Sequence, residues 1–303
     1  MIYADMLILC HCILNVNSRA PGIARWEGVI EPLWDIMKSR NLEFIQLPCP
    51  EAVYLGLRRW WFVKEQYDNP LYNQLCRNMA LAVSKILLEK GVDKIRLIGL
   101  GISPSCGYRE VQSDPSWGGR PREVDTTRNL KLGKGVLIEN MENIFRTFNF
   151  HYEIYDIPPA VIYPDERAGV QSYPKSFQDS IKEICDVLQY DQRFLSLNQS
   201  RKEVYTDIRS GKILIAPYES FSKHPNLIEE YVKQRFGLIL IPDSWETSYE
   251  TELLADMFAK QVENHLMVKH EVSMYLPSEF STFFERFIEL IKMRNLMSKI
   301  RIV

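Results

Sequence analysis

The sequence predicts an α/β protein, with an open parallel sheet flanked by helices and a second, smaller α/β unit after it. Three observations predict this. Short apolar runs at residues 6–12, 42–47 and 93–102 each break in a loop punctuated by Pro, Gly or Asn. Segments with apolar residues at helical spacing lie between those runs. After Pro158-Pro159 the strand–helix texture restarts. Such alternation argues for a Rossmann-like parallel sheet covered on both faces. The 303 residues leave room for two units, read as 1–159 and 160–303.

The elements follow in order. Residues 6–12 read as the first strand, and a loop with Asn15, Asn17, Arg19, Pro21 and Gly22 follows it. Glu27 to Ser39 has helical spacing, and 42–47 is the second strand. That strand breaks at Pro48-Cys49-Pro50-Glu51. Glu51 to Asp68 is aromatic-rich, with Tyr54, Trp60, Trp61, Phe62 and Tyr67. Pro70 opens a long helix that Gly91 stops. The third strand, 93–102, runs into Ser103-Pro104-Ser105-Cys106-Gly107. Residues 108–132 read as a loop or flap, 135–148 as a helix and 151–155 as a strand. In the second unit, helices are expected at 176–188, 225–235, 247–266 and 278–296. Strands are expected at 212–216, 238–241 and near 271–276.

Composition sets outer bounds. A net charge of -2 gives no field that would attract nucleic acid or a membrane surface. No apolar run reaches the roughly 20 residues of a membrane span. The start Met-Ile-Tyr-Ala-Asp lacks a basic region, so no signal peptide is read and a cytoplasmic location is expected. Six cysteines in a chain of this length are no disulfide framework. In a reducing compartment, clustered cysteines lean toward metal binding or catalysis.

Three of the six stand at strand ends. Cys12, Cys49 and Cys106 are 37 and 57 residues apart, the spacing of one ligand per strand–helix unit. A single free cysteine is most simply a small buried hydrophobe. Three at equivalent strand ends, on the edge where open α/β sheets bind ligands, point instead to a shared site. Cys10 is the near competitor of Cys12. In a strand, residues 10 and 12 face one side and His11 the other, so Cys10 is read as sheet core. Cys76 and Cys185 lie in helices and are read as structural. Three thiolates without a fourth protein ligand suit either a zinc with an open position or a four-iron cluster with one iron free.

The motifs resemble those of the 2-thiouracil desulfidase family. Cys12-Ile-Leu-Asn-Val-Asn-Ser-Arg19-Ala-Pro-Gly22 is similar to that family's Cys-Leu-Leu-Gly-x-x-x-Arg-Tyr-Asp-Gly. Cys49-Pro50-Glu51, Ser103-Pro104-Ser105-Cys106-Gly107 and Gly133-Lys-Gly135-Val136 resemble its later motifs. Asn15 stands where the family has Gly, Ala20-Pro21 where it has Tyr-Asp, and the C-terminal half has no counterpart in single-domain members. The resemblance implies a [4Fe-4S] cluster on Cys12, Cys49 and Cys106, with one open iron that binds the substrate sulfur. It implies Glu51 and Ser103 as acid/base residues, and Ser105 and Arg19 as substrate contacts.

The chemistry suits those residue types. A thiocarbonyl sulfur needs a soft acceptor, and the attacking water needs a base. Outside the motif, Glu51 would read as a solvated or helix-starting acid and Ser103 as a turn residue. Thiolates nearby are expected to raise the Glu51 pKa toward neutrality. Trp60 and Trp61, beside Arg58 and Arg59, are candidates to stack on a planar base, though at least one reads as a core anchor. The leading reading is an enzyme that removes sulfur from a small thiocarbonyl compound, with no membrane or nucleic-acid partner. The alternatives are a non-catalytic iron–sulfur or sulfur-carrier protein, and a metal-free hydrolase using Cys106. The second unit is expected to cover the site or form a homodimer contact, and to supply no cluster ligand.

Overall fold

The opening apolar run forms β1 (Ala4–Leu9), followed by α1 (Glu31–Arg40) and the short strand β2 (Phe44–Gln46). Then come α2 (Pro50–Leu55), α3 (Lys64–Tyr67), α4 (Pro70–Glu89) and β3 (Val92–Leu100). Next are β4 (Glu110–Gln112), β5 (Leu130–Leu132), α5 (Val136–Thr147), β6 (His151–Ile157), α6 (Pro159–Ile162) and α7 (Phe177–Val187). The rest of the chain folds as β7 (Lys212–Pro217), α8 (Tyr218–Lys223), α9 (Pro225–Lys233), β8 (Gly237–Ile241), α10 (Tyr249–Met267), β9 (Glu271–Met274), α11 (Thr282–Met293) and β10 (Arg301–Ile302). The structure, a computed structural model, describes residues 4–40, 42–60, 63–117, 129–163, 172–174, 176–195, 208–243 and 248–303.

Two four-stranded parallel sheets result, in the orders β2-β1-β3-β6 and β10-β9-β7-β8. The chain passes from β1 to β2 on one side, then crosses to β3 on the other. The gap between the C-terminal ends of β1 and β3 is therefore a switch point, where such sheets bind ligands. The long helix is built as its sequence predicts. Asn69 caps it by accepting from Tyr72 N at 3.0 Å, Pro70 takes the first turn, and Gly91 follows its end at φ +67°. Its buried face of Tyr72, Cys76, Met79, Val83 and Ile86 packs into the core.

Two expectations change. The first strand ends at Leu9, short of the cysteines. Leu47 N still bonds Leu9 O at 2.9 Å, but the next donor on that side, Cys49 N, goes to Gln261 Oε1 at 2.7 Å, so the ladder stops there. The chain then closes into a 3-10 turn over His11–Ile13, with Ile13 N on Cys10 O at 3.1 Å. Strand alternation therefore does not govern residues 10–12. In the second change, the 108–132 loop contains the antiparallel pair β4–β5, while residues 118–128 lie outside the described ones.

The sheets meet edge to edge through one side chain. Gln46, on edge strand β2, donates to Leu238 O at 2.9 Å and accepts from Leu240 N at 2.8 Å on edge strand β8. Its amide thus satisfies a strand edge that would otherwise be open. Buried apolar residues of both sheets form one continuous core. Among the described residues, no helix is long and apolar enough to cross a membrane.

Candidate active site at the ends of the first three strands

Each thiol-bearing loop has a local cause. Cys49 sits between Pro48 and Pro50 as the N-cap of α2, and its Sγ accepts from Ala52 N at 3.4 Å. Cys106 lies on the turn after β3. There Ser103 Oγ accepts from Cys106 N (3.0 Å) and Ser105 N (3.3 Å), and Gly107 N bonds Ser103 O at 3.0 Å. Ile102, just before this turn, holds φ +58°, a left-handed conformation costly for a β-branched residue. Two glycines let the turn fold back. A Cβ at Gly99 would stand 2.2 Å from Cys106 O, and one at Gly135 would stand 2.3 Å from the carbonyl carbon of Ser105.

The loops enclose a cavity of about 670 Å³, counted with its open mouth. Cys12, Cys49 and Cys106 all line it, with Glu51, Ser103 and Arg19. Cys10 and His11 line it too, because the turn after β1 brings residues 10, 11 and 12 to one wall. Cys10 is therefore not sheet core alone. Its thiol is within hydrogen-bond reach of Cys106, as Cys12 is of Cys49. In the second pair Cys49 is the readier thiolate. The hydrogen bond from Cys12 lowers its pKa, aided by the Arg59 charge and the Ala52 N–H against the cost of burial. Cys12 and Cys106 are pushed up, first by serving as the proton-bearing partner and then by burial.

Glu51 is anchored rather than loose. Its Oε2 accepts from Arg59 Nε at 2.9 Å and from the Tyr67 hydroxyl at 3.1 Å. Burial opposes the Arg59 charge, but Glu51 and the nearby Cys49 sulfur outweigh it and raise the guanidinium's pKa. Burial, then the Glu51 charge, raises the Tyr67 phenol. On another wall Arg19 donates to the Tyr163 hydroxyl and lies 4.6 Å from the centre of that ring.

Ser105 departs from its expected place. Its side chain is fully buried, pairs with the Tyr72 hydroxyl at 2.7 Å, and is absent from the cavity wall. Trp60 stands at the cavity, 64% exposed, and Trp61 lies outside the described residues. Cys76 and Cys185 are buried away from the cavity, as expected. Sequence reasoning missed Tyr67 and Tyr163, and placed Arg59 only as a stacking neighbour of tryptophan. Only the Arg58-Arg59-Trp60 cluster carried a signal, since nothing local marks a tyrosine as lining a distant cavity.

Asn15 has a role that the sequence did not show. Its Nδ2 donates to Nε2 of His11 (3.0 Å) and of His265 on α10 (3.2 Å), while His11 Nδ1 donates to Leu47 O at 2.8 Å. Both histidines therefore present an unprotonated Nε2. Burial lowers His11 to about 4, against the Leu47 bond, and burial also takes His265 well below its ordinary value. Neither His265 nor His270 lines the cavity.

The donor set suits a thiolate-bound iron–sulfur group. Four thiols line one cavity, and soft thiolates are the ligands of such clusters. Arg19 lines the cavity and is 4% exposed, and among the described residues its Nε and Nη1 have no hydrogen-bond partner, so the wall carries a buried cation with spare donors. Among the described residues, no three His, Cys, Asp or Glu side chains stand close enough together to hold a metal ion as placed, so the thiols share a cavity and not a closed metal site.

Fold and site together define an open α/β protein with a thiol-lined pocket at its switch point. The chain belongs to the family of the uncharacterized protein MJ0003 of Methanocaldococcus jannaschii. It is 30% identical to that protein over 175 residues, which are 58% of this chain and 96% of the relative. A scan against protein-family models finds no match. Among solved structures, a [4Fe-4S]-dependent thiouracil desulfidase, TudS, aligns over 50% of this chain and 91% of its own, at 18% identity and a TM-score of 0.30. At that score the likeness assigns no function.

Proposed function

We propose that the protein holds a [4Fe-4S] cluster on Cys12, Cys49 and Cys106 and removes sulfur from a small thiocarbonyl compound of the 2-thiouracil type. The observation that carries this reading is the convergence of three thiols, from the ends of three separate strands, on one cavity that also holds Glu51 and Ser103. The reaction is a hydrolysis without redox change: C=S becomes C=O, water supplies the oxygen, and sulfur leaves as hydrogen sulfide.

When bound, the cluster would offer an iron free of thiolate, a soft Lewis acid suited to sulfur. The remaining work falls to the chain. Glu51, oriented by Arg59 and Tyr67, takes the proton from the attacking water. Ser103 has two backbone N–H groups on its oxygen, so the group it offers a ligand is its own O–H. Ile23, Leu100 and Ile102 give the cavity apolar walls that limit water around the substrate.

Anaerobic purification with iron and sulfide counts, followed by incubation with 2-thiouracil, tests the reading. Brown protein with about four irons per chain that releases uracil and sulfide supports it. Protein that stays colourless after reconstitution refutes it. A full cluster without turnover of any thiocarbonyl compound would favour the sulfur-carrier alternative.

A further inference from the structure

The Pro48-Cys49-Pro50 stretch has a single backbone donor, the N–H of Cys49, because neither proline carries one. That N–H does not go to its own neighbourhood. It donates across 2.7 Å to Oε1 of Gln261, on α10, 212 residues further along the chain. The other end of the same amide, Nε2, donates to Ser18 Oγ at 2.7 Å, next to Arg19. Gln261 is fully buried, and α10 packs against both α2 and α4. Three residues on, Asn264 Nδ2 donates to Ala52 O at 2.7 Å, in the first turn of α2. His265 then accepts from Ser18 Oγ at 3.1 Å. One face of α10 thus grips both the loop that carries Cys49 and the loop that carries Arg19.

We infer that Gln261 is a positioning residue for Cys49, and that α10 is a built-in brace of the thiol site. A buried amide that satisfies an otherwise unpaired N–H fixes the peptide plane, and with it the direction of the Cys49 Cα–Cβ bond. Gln261 does not line the cavity, so it acts through Cys49 and Ser18. The helix contributes no ligand, yet the Cys49 thiol keeps its place opposite Cys12 only while α10 is docked. The inference rests on the proposed cluster site for its purpose. The Cys49 geometry itself can be read without any cluster.

The test uses the full-length chain with three substitutions. Gln261→Met removes both hydrogen bonds at similar volume. Gln261→Glu keeps an acceptor for Cys49 N–H, and Ser18 can move its hydroxyl proton from His265, which still accepts from Asn15, to the new carboxylate. Phe221→Leu is the control. Phe221 packs at 5.0 Å on Phe44 and 5.5 Å on Trp34, so the change loosens the junction of the two halves without touching Cys49.

Two readouts are taken. One is the alkylation rate of Cys49 in metal-free protein, followed by peptide mass mapping. The other is iron retained after anaerobic reconstitution. Gln261→Met should speed Cys49 alkylation about fivefold, the factor that one net hydrogen bond supports. It should also lower retained iron, while Gln261→Glu restores the alkylation rate toward that of the wild type. Phe221→Leu should leave Cys49 alkylation unchanged. Equal acceleration in Gln261→Met and Phe221→Leu would show general loosening and overturn the inference, as would no change in Gln261→Met. If the wild type holds no iron, the functional reading fails and the alkylation rates still decide the role of Gln261.

Discussion

Arg59 and Glu51 face each other across 2.9 Å, and the same guanidinium reaches two more segments, donating to Gly56 O at 3.3 Å and Ser18 O at 3.0 Å. One side chain, 6% exposed as a residue, therefore ties α2, its own loop and the Arg19 loop around the cavity. Removing one partner of a buried pair leaves the other charge uncompensated, at a cost of about 3–5 kcal/mol. Arg59→Met should lower the unfolding free energy from urea titration by an amount in that range and reduce iron retention. A stability loss under about 1 kcal/mol would mean that the pair is effectively solvated.

Glu51→Gln is expected to behave differently. The amide oxygen can still accept from Arg59 and Tyr67, so the iron content should persist, while the buried Arg59 charge loses its counter-ion and the fold loses some stability. Loss of a positioned base should cut turnover by roughly 10²–10⁴-fold. Single-turnover sulfide release by iron-replete Glu51→Gln measures this directly. Undiminished release would remove Glu51 from the proton transfer.

The thiols should separate by location. Cys12→Ala, Cys49→Ala and Cys106→Ala should each lose the brown chromophore on reconstitution, while Cys76→Ala and Cys185→Ala keep it. Cys10 shares the cavity wall beside Cys106, so Cys10→Ala is the informative variant. It should retain more iron than Cys12→Ala. The reverse order would make Cys10 the ligand and Cys12 its neighbour.

Acid should destabilise the fold through the buried histidines. His11 is held near 4 in the folded state, against about 6.5 unfolded. Below pH 6.5 the unfolded chain binds a proton that the folded chain refuses, so stability falls as pH drops from about 6.5 toward 4. A gap of that size is worth about 3 kcal/mol by pH 4, and His265 adds in the same direction. Urea midpoints measured from pH 7.5 down to 4.5 should fall, and His11→Gln should flatten the slope. A pH-independent midpoint in the wild type would contradict the buried, neutral assignment.

Gly135→Ala tests the packing of the Cys106 turn. The added Cβ would meet the Ser105 carbonyl carbon at 2.3 Å, and that neighbour is backbone that cannot rotate away. Overpacking costs about 1–3 kcal/mol, and a clash with main chain belongs at the upper end. Thermal unfolding and iron content should fall together. A variant as stable and as iron-replete as wild type would show that the turn is not pinned there.

Much of the architecture was readable from local pattern. Apolar runs bounded by Pro, Gly and Asn must be short strands, and periodic apolar faces between them must be helices, so a parallel sheet with cysteines at three strand ends followed from the sequence. The break at Pro48-Cys49-Pro50 was visible, but the end of β1 at Leu9 was not. The Cys49 N–H goes to Gln261 in place of the β1 ladder, and the 3-10 turn after Leu9 brings Cys10 and His11 to the cavity wall. Ser105 was misplaced for a related reason. A motif puts a hydroxyl near a thiol, but only packing shows that Tyr72 claims it.

What the sequence determined by itself is the kind of sheet, the edge on which chemistry can occur, and the thiols, carboxylate and hydroxyl that reach it. What the tertiary structure decided is how those groups are held. Arg59 on Glu51, Asn15 between His11 and His265, and Gln261 on Cys49 each depend on docking between segments, the last two across 250 and 212 residues. A hydrogen bond of about 3 Å tolerates displacements of only a few tenths of an ångström. Local propensity fixes each helix and strand but not the docking of one on another to that tolerance, so these partners exist only in the folded whole.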